Sequence, residues 1–413
     1  MTERTPSLCR HCGAPLQLIF ADLGATPVSN DYISPEHRFS AENYYPLRAF
    51  VCKVCRLAQL EDFRRADDLF REDYAYFSSI STSWVAHASR YASAMLERFE
   101  LGRGSRVVEV ASNDGYLLQF FKEQGIAVLG IEPSKSVADH AIARGIPTRM
   151  EFFGEAVGKR LASEGWSADL TAANNVLAHV PNINDFVAGF REILKRDGVA
   201  TFEFPSLANL IAFNQFDTIY HEHFSYLSLL AVERIFLVNG LRIFDVESLP
   251  THGGSLRVYA CRTDAGHPTS ESVALQLAAE RAAGLDGDDV YCRFSEQVRE
   301  TKRALLELLI GLKRQGKTIV GYGAPAKGNT LLNYCGIGAD FLEFTVDRSA
   351  QKQGMYLPGT RLAIKAPEAI DELKPDFVLI LPWNIKDEIM SQMAHIRSWG
   401  GQFIVPIPRA ELG

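Results

Sequence analysis

The 413-residue sequence contains no apolar run approaching the ~18 residues a membrane span needs, and its start, MTERTPSLCRHCG, has no signal-peptide hydrophobic segment. Both absences point to a cytoplasmic protein without membrane attachment. It also lacks a Lys/Arg run, and with a net charge of −7 a nucleic-acid phosphate backbone is a poor main partner, although local basic groups leave a small anionic substrate open. Internal repeats and low-complexity segments are missing, and no complete Gly-x-Gly-x-x-Gly fingerprint occurs, which weakens a dinucleotide pyrophosphate site. Disorder is excluded by 47% hydrophobic and 23% charged residues, and the length suits roughly two to three domains.

Seven cysteines are present, and four of them form two Cys-x-x-Cys pairs, Cys9/Cys12 and Cys52/Cys55. In a reducing compartment such pairs favour metal over disulfide, and four thiolates close a tetrahedral zinc site with no open position for catalysis. His11 lies inside the first pair, where four sulfurs leave it a bystander.

Three zones follow from composition: residues 1–70 with the paired cysteines, 71–265, and 266–413. In the middle zone, strand-like runs at Arg106–Val110, Ala127–Ile131, Asp169–Ala173 and Val199–Phe204 alternate with helical stretches such as 115–123 and 185–194, which predicts a parallel sheet covered by helices. The runs 241–246 and 256–261 are joined by too short a link for a crossover helix, so they pair antiparallel. A connector over 290–315 places Phe294, Val298, Leu305, Leu309 and Leu312 near helical spacing and packs one face on a neighbouring domain. Four more strands, 318–321, 341–346, 377–380 and 403–405, suggest a second open α/β sheet.

The segment 107–118, VVEVASNDGYLL, reads as strand, small-residue turn and helix, a place where backbone can approach a ligand closely. Glu109, Ala111, Ser112, Asp114 and Gly115 line it. Glu132, followed by Pro133, ends the next strand, where a carboxylate can accept both ribose hydroxyls. Asn174 and Asn175 end the strand after that. Singly each is a turn or cap residue; together they favour a nucleoside cofactor. The run 219–226, IYHEHFSY, gathers Tyr220, His221, Glu222 and His223. Its histidines are two apart, unlike the i, i+4 pair of a helical zinc motif, so acid–base chemistry is the better reading, against the plain alternative of a polar helix start. The run 320–330, VGYGAPAKGNT, offers glycines and Lys327 to a phosphate, or is a structural turn.

The two cysteine pairs, EVASNDGYLL, NNVLAHVPN, YHEHFSYLS, HGGSLR and GYGAPAKGNTLLN occur in an order that resembles the bacterial nucleotide-sugar C-methyltransferases of the tetronitrose 3-C-methyltransferase type, over nearly the whole chain. The resemblance implies a zinc-binding N-terminal domain, a class I methyltransferase domain using S-adenosylmethionine, and a Rossmann-like C-terminal domain that helps bind a nucleoside diphosphate keto sugar. It implies His223 as the base that forms an enolate, assisted by Tyr220, Glu222 and His179, with Tyr74 or Tyr76 reaching in from the first domain. His221 and His252 become substrate contacts. So do Tyr322, Gly323, Ala324, Lys327, Asn329, Asp347, Arg348, Lys352 and Trp383, on the side of the C-terminal domain. The competing readings are an NAD-dependent sugar oxidoreductase and a non-catalytic zinc-containing nucleotide-binding protein. A monomer or weak homo-oligomer is expected.

Overall fold

A computed structural model describes residues 7–63 and 77–413. Three sheets organise it.

The first is antiparallel, in the order β1 (Leu18–Thr26), β2 (Tyr45–Val51), β3 (Ala58–Leu60) and β9 (Ser225–Tyr226). Its last strand therefore comes from the His-Glu-His segment, with Ala58 opposite Tyr226 and Gln59 opposite Ser225. That pairing corrects the idea of a polar helix start. After a single turn at Phe216–Thr218 the chain runs through a non-helical bend and into β9.

The second sheet has seven strands in the order β10-β11-β8-β7-β4-β5-β6. Its parallel members are β4 (Arg106–Val110), β5 (Ala127–Ile131), β6 (Thr148–Arg149), β7 (Ala168–Asn174) and β8 (Leu194–Pro205). β11 (Ser255–Arg262) runs antiparallel to both β8 and β10 (Leu241–Leu249), as the short link between the two runs predicts. The strand order reverses at β4, so the carboxyl ends of β4 and β7 open a crevice at the switch point. The helix expected over 115–123 is confined to Leu118–Glu123, because the residues before it form the crevice turn.

The third sheet, β14-β13-β12-β15-β16-β17, is parallel except for its last strand. Its members are β12 (Ile319–Tyr322), β13 (Thr345–Val346), β14 (Ile364–Lys365), β15 (Phe377–Ile380), β16 (Gln402–Val405) and β17 (Glu411–Leu412). The strand expected over 341–346 shrinks to two residues, because the N–H groups of Phe341 and Leu342 both turn back to the Gly338 carbonyl.

The connector is one helix, Asp289–Arg314, which buries Val290, Tyr291, Phe294, Val298, Leu305, Leu309 and Leu312 on one stripe. That stripe covers β1. Phe294 stacks on Phe20 with centroids 5.3 Å apart, and Tyr291 meets the same ring edge-on at 6.0 Å. Burial of each such side chain stabilises the contact by about 1.5–3 kcal/mol. Among the described residues no helix is long and apolar enough to cross a membrane.

Candidate active site and zinc centre

Cys9, Cys12, Cys52 and Cys55 converge so that all four sulfurs lie within 4.8 Å of one another. The Cys9–Cys55 and Cys12–Cys52 pairs are 3.5 Å apart, close to the ~3.8 Å edge of a zinc tetrahedron with bonds of about 2.3 Å. The donor set fits zinc in a closed structural site. His11 stands aside: its Nδ1 is 2.8 Å from Asn184 Oδ1, and Asn184 donates back to the His11 carbonyl. Gln59 holds the site from behind, donating through Nε2 to Cys9 Sγ at 3.1 Å and accepting from the Arg10 N–H at 2.9 Å.

At the switch point, the turn after β4 takes three left-handed residues, Ala111 (φ 58), Asn113 (φ 48) and Gly115 (φ 78). Left-handed alanine is strained by roughly 1–3 kcal/mol, a cost found where the chain must present backbone to a ligand. Polar atoms of Ser112, Asp114, Asn174 and Asn175 are buried here without a hydrogen-bond partner among the described residues. Burial raises the pKa of Glu109 well above the carboxylate range, although the Tyr116 hydroxyl opposes this. Glu132 accepts from the N–H groups of Asn113 (3.0 Å) and Ser134 (2.9 Å), bracing the turn. The Ser134 hydroxyl also bonds it, and since a carboxylate has about four acceptor positions, capacity remains for a ligand hydroxyl. Pro133 follows it, half-buried. These orphaned acceptors fit a nucleoside with an amino-acid tail, the donor set that S-adenosylmethionine presents.

Beyond the crevice, the structure gathers His179, Tyr220 and His223. The rings of His179 and His223 are 4.7 Å apart, and those of Tyr220 and His223 are 4.0 Å apart. His179 Nδ1 lies 2.7 Å from the Glu222 carbonyl and His223 Nδ1 lies 2.8 Å from the Thr218 carbonyl. A carbonyl only accepts, so each Nδ1 carries the proton and Nε2 is the basic nitrogen. Burial pushes both imidazoles below their ordinary range, His223 furthest because His179 and His252 also oppose its charge. His252, in a left-handed turn, sits 3.4 Å from the Asn175 amide and beside Trp84.

His221, two residues from His223, faces the opposite way, with its Nε2 3.2 Å from the Pro46 carbonyl and its ring edge-on to Tyr45. The structure thus sets it on β2, apart from the histidine pair. Glu222 is buried, its pKa pushed up to about 7 by burial, and accepts from Asn30 Nδ2 at 3.0 Å.

On the C-terminal side, Lys327 lies over the Trp383 ring at 4.3 Å and bonds Asn384. Its pKa is pushed down to about 8 by burial, with Asp217 opposing. Trp383 Nε1 donates to Asp217 at 2.7 Å, and burial pushes that carboxyl up to about 7. Ala324 is a second focus: its N–H donates to Asp347 and its carbonyl accepts from Tyr32 and Lys352. Tyr322 and Gly323 form the strand end beside it, and Arg348 is exposed on the rim. Asn329 is buried and donates to the Ser29 carbonyl at 2.6 Å, joining two segments. Tyr74 and Tyr76 lie outside the described residues. Sequence reasoning missed Asn30, Trp84 and Asp217. Only Asp217 carried a signal, as an acid three residues before Tyr220.

The sheet order with one antiparallel strand, the crevice turn and the acceptor set define a class I methyltransferase with S-adenosylmethionine as its cofactor. Models of a zinc binding domain, a methyltransferase domain and a C-methyltransferase C-terminal domain match residues 9–70, 84–246 and 250–408 in turn. The C-methyltransferase NovU of Streptomyces niveus is 37% identical over 97% of this chain and 95% of its own. The chain belongs to this C-methyltransferase family. Solved structures similar to it include magnesium protoporphyrin IX methyltransferase of Synechocystis PCC 6803 (14% identity, 48% of this chain and 92% of that one, TM-score 0.36). A methyltransferase of Anabaena variabilis is also similar (16%, 49% and 99%, TM-score 0.39). The fold, family and cofactor set aside the oxidoreductase reading.

Proposed function

We propose that the chain transfers a methyl group from S-adenosylmethionine to carbon 3 of a nucleoside diphosphate-linked 4-keto deoxysugar, in deoxysugar biosynthesis. The units involved are 1–70, 71–265 and 266–413, with the sugar nucleotide between the last two and Tyr74 or Tyr76 reaching in from the first. One observation carries the reading: two buried imidazoles, both with Nε2 as the basic nitrogen, stand beside a tyrosine at the mouth of a nucleoside crevice. Neutral imidazole is the base that proton removal next to a ketone needs.

His223 Nε2 takes the proton from carbon 3, and the electron pair moves onto the keto oxygen. The Tyr220 hydroxyl donates to that oxygen as its charge grows. S-adenosylmethionine supplies an electrophilic sulfonium methyl, which carbon 3 takes as the C–S bond breaks. His179 shares the cavity wall and keeps His223 neutral between turnovers. Lys327, Lys352 and the Ala324 turn bind the diphosphate; Asp347, Arg348, Tyr322 and Trp383 contact the rest of the nucleotide, and His252 contacts the sugar. Holding both reactants in line contributes several kcal/mol to lowering the barrier.

The test is a panel of thymidine, guanosine and cytidine diphosphate 4-keto sugars incubated with S-adenosylmethionine and scored by mass spectrometry for the gain of one CH₂. In D₂O without the cofactor, deuterium enters at carbon 3, and His223→Ala abolishes that exchange. A panel with no methylated product, or exchange confined to carbon 5, overturns the reading.

A further inference from the structure

The segment Ser29–Ile33 belongs to the zinc-binding part of the chain but is held by the C-terminal part. Asn329 donates to the Ser29 carbonyl at 2.6 Å, Ser29 and Thr330 hydroxyls are 3.3 Å apart, and Tyr32 donates to the Ala324 carbonyl at 2.6 Å. Ile33 exchanges both backbone hydrogen bonds with Tyr356 at 2.9 Å. Between these anchors stands Asn30, whose amide is 3.0 Å from Glu222 Oε1. Glu222 Oε2 is buried and has no hydrogen-bond partner among the described residues. Meanwhile the Glu222 carbonyl fixes the tautomer of His179. One residue therefore touches the histidine pair through its backbone and Asn30 through its side chain.

We propose that Asn30 is a positioning residue of the methyl-transfer site, one that holds Glu222 as an oriented carboxylate whose second oxygen accepts a hydroxyl of the sugar. This rests on the sugar-methylation reading of the same site. A buried acceptor without a partner costs about 1–3 kcal/mol, and a ligand hydroxyl removes that cost. Burial disfavours the ionised form, and the Asp31 charge adds to that; the Glu222 backbone N–H favours it, as do the side-chain amide and backbone N–H of Asn30. The other titratable groups facing Glu222 are the Tyr32 and Tyr226 hydroxyls, both pushed up by burial, with the Glu222 charge adding to the shift. Both stay neutral through the range in which Glu222 titrates, which leaves Asn30 as the side chain that donates a hydrogen bond to the ionised carboxylate.

The experiment uses full-length, zinc-loaded protein carrying carbon-13 at glutamate carboxyls, with the Glu222 resonance assigned by its loss in Glu222→Gln. Wild type should titrate near pH 7, as burial dictates. Asn30→Ala should raise that midpoint by about one unit, tenfold in the acid constant, and Asn30→Asp, of the same shape, should raise it further. The acid limb of kcat/KM should move with the midpoint, and Asn30→Ala should add no shift in the Glu222→Gln background. An unmoved midpoint in the Asn30→Asp protein with zinc and melting temperature intact overturns the proposal, as does a limb that ignores the midpoint. If wild type methylates no 4-keto sugar nucleotide, the proposed function falls, while the midpoints alone still decide whether Asn30 controls Glu222.

Discussion

The imidazoles of His179 and His223 lie 4.7 Å apart, buried, with each Nδ1–H given to a backbone carbonyl. Protonation of one opposes protonation of the other, so the pair takes up one proton at a time.

Replacing the base should separate binding from chemistry. His223→Asn should lower kcat by roughly 10²–10⁴-fold, the usual worth of a positioned general base. The affinity for S-adenosylmethionine, read by calorimetry, should stay unchanged.

The same pair makes stability depend on pH. Both histidines have folded-state pKa values below their ordinary 6.5. Their contribution is complete above that value and is lost as pH falls towards the folded values, because the unfolded chain then binds more protons. A His179→Asn, His223→Asn protein should lose less stability than wild type between pH 6.5 and 5 in urea titrations.

Zinc should act on the reaction through structure alone. Gln59 donates to Cys9 and pairs with Ser225, two residues past His223, and the Leu60 N–H donates to the Phe224 carbonyl. Chelation or Cys9→Ser should lower the melting temperature and the methyl-transfer rate together. Cadmium in place of zinc should restore both, since a closed thiolate site performs no step itself.

The crevice turn should tolerate little change. Gly115 has φ 78, and a Cβ there would stand 2.9 Å from the Ile146 side chain. Gly115→Ala should weaken S-adenosylmethionine binding by about 1 kcal/mol or more, at least fivefold in Kd.

Much of the fold was legible because short apolar runs bounded by turns and alternating with helical stretches fit buried strands: β4, β5 and β15 fall where the sequence places them. β1, β2 and β3 were not foreseen, since the cysteine pairs drew the reading of that zone to metal rather than to periodicity. In the site, residue type located the histidine segment, but periodicity could not say that His221 and His223 face opposite ways across a bend. Asn30 was invisible for another reason. Its partner lies 192 residues away in the chain, and only folding brings them together.

The pairing of β3 with β9 limits how this enzyme can be cut and recombined. A fragment ending near residue 70 would carry the four cysteines but leave β3 an open edge, with backbone groups available to any neighbouring chain. Grafting the cysteine-bearing module onto a relative would need a matching strand from the recipient's histidine segment. For engineering, those two stretches of sequence are one unit.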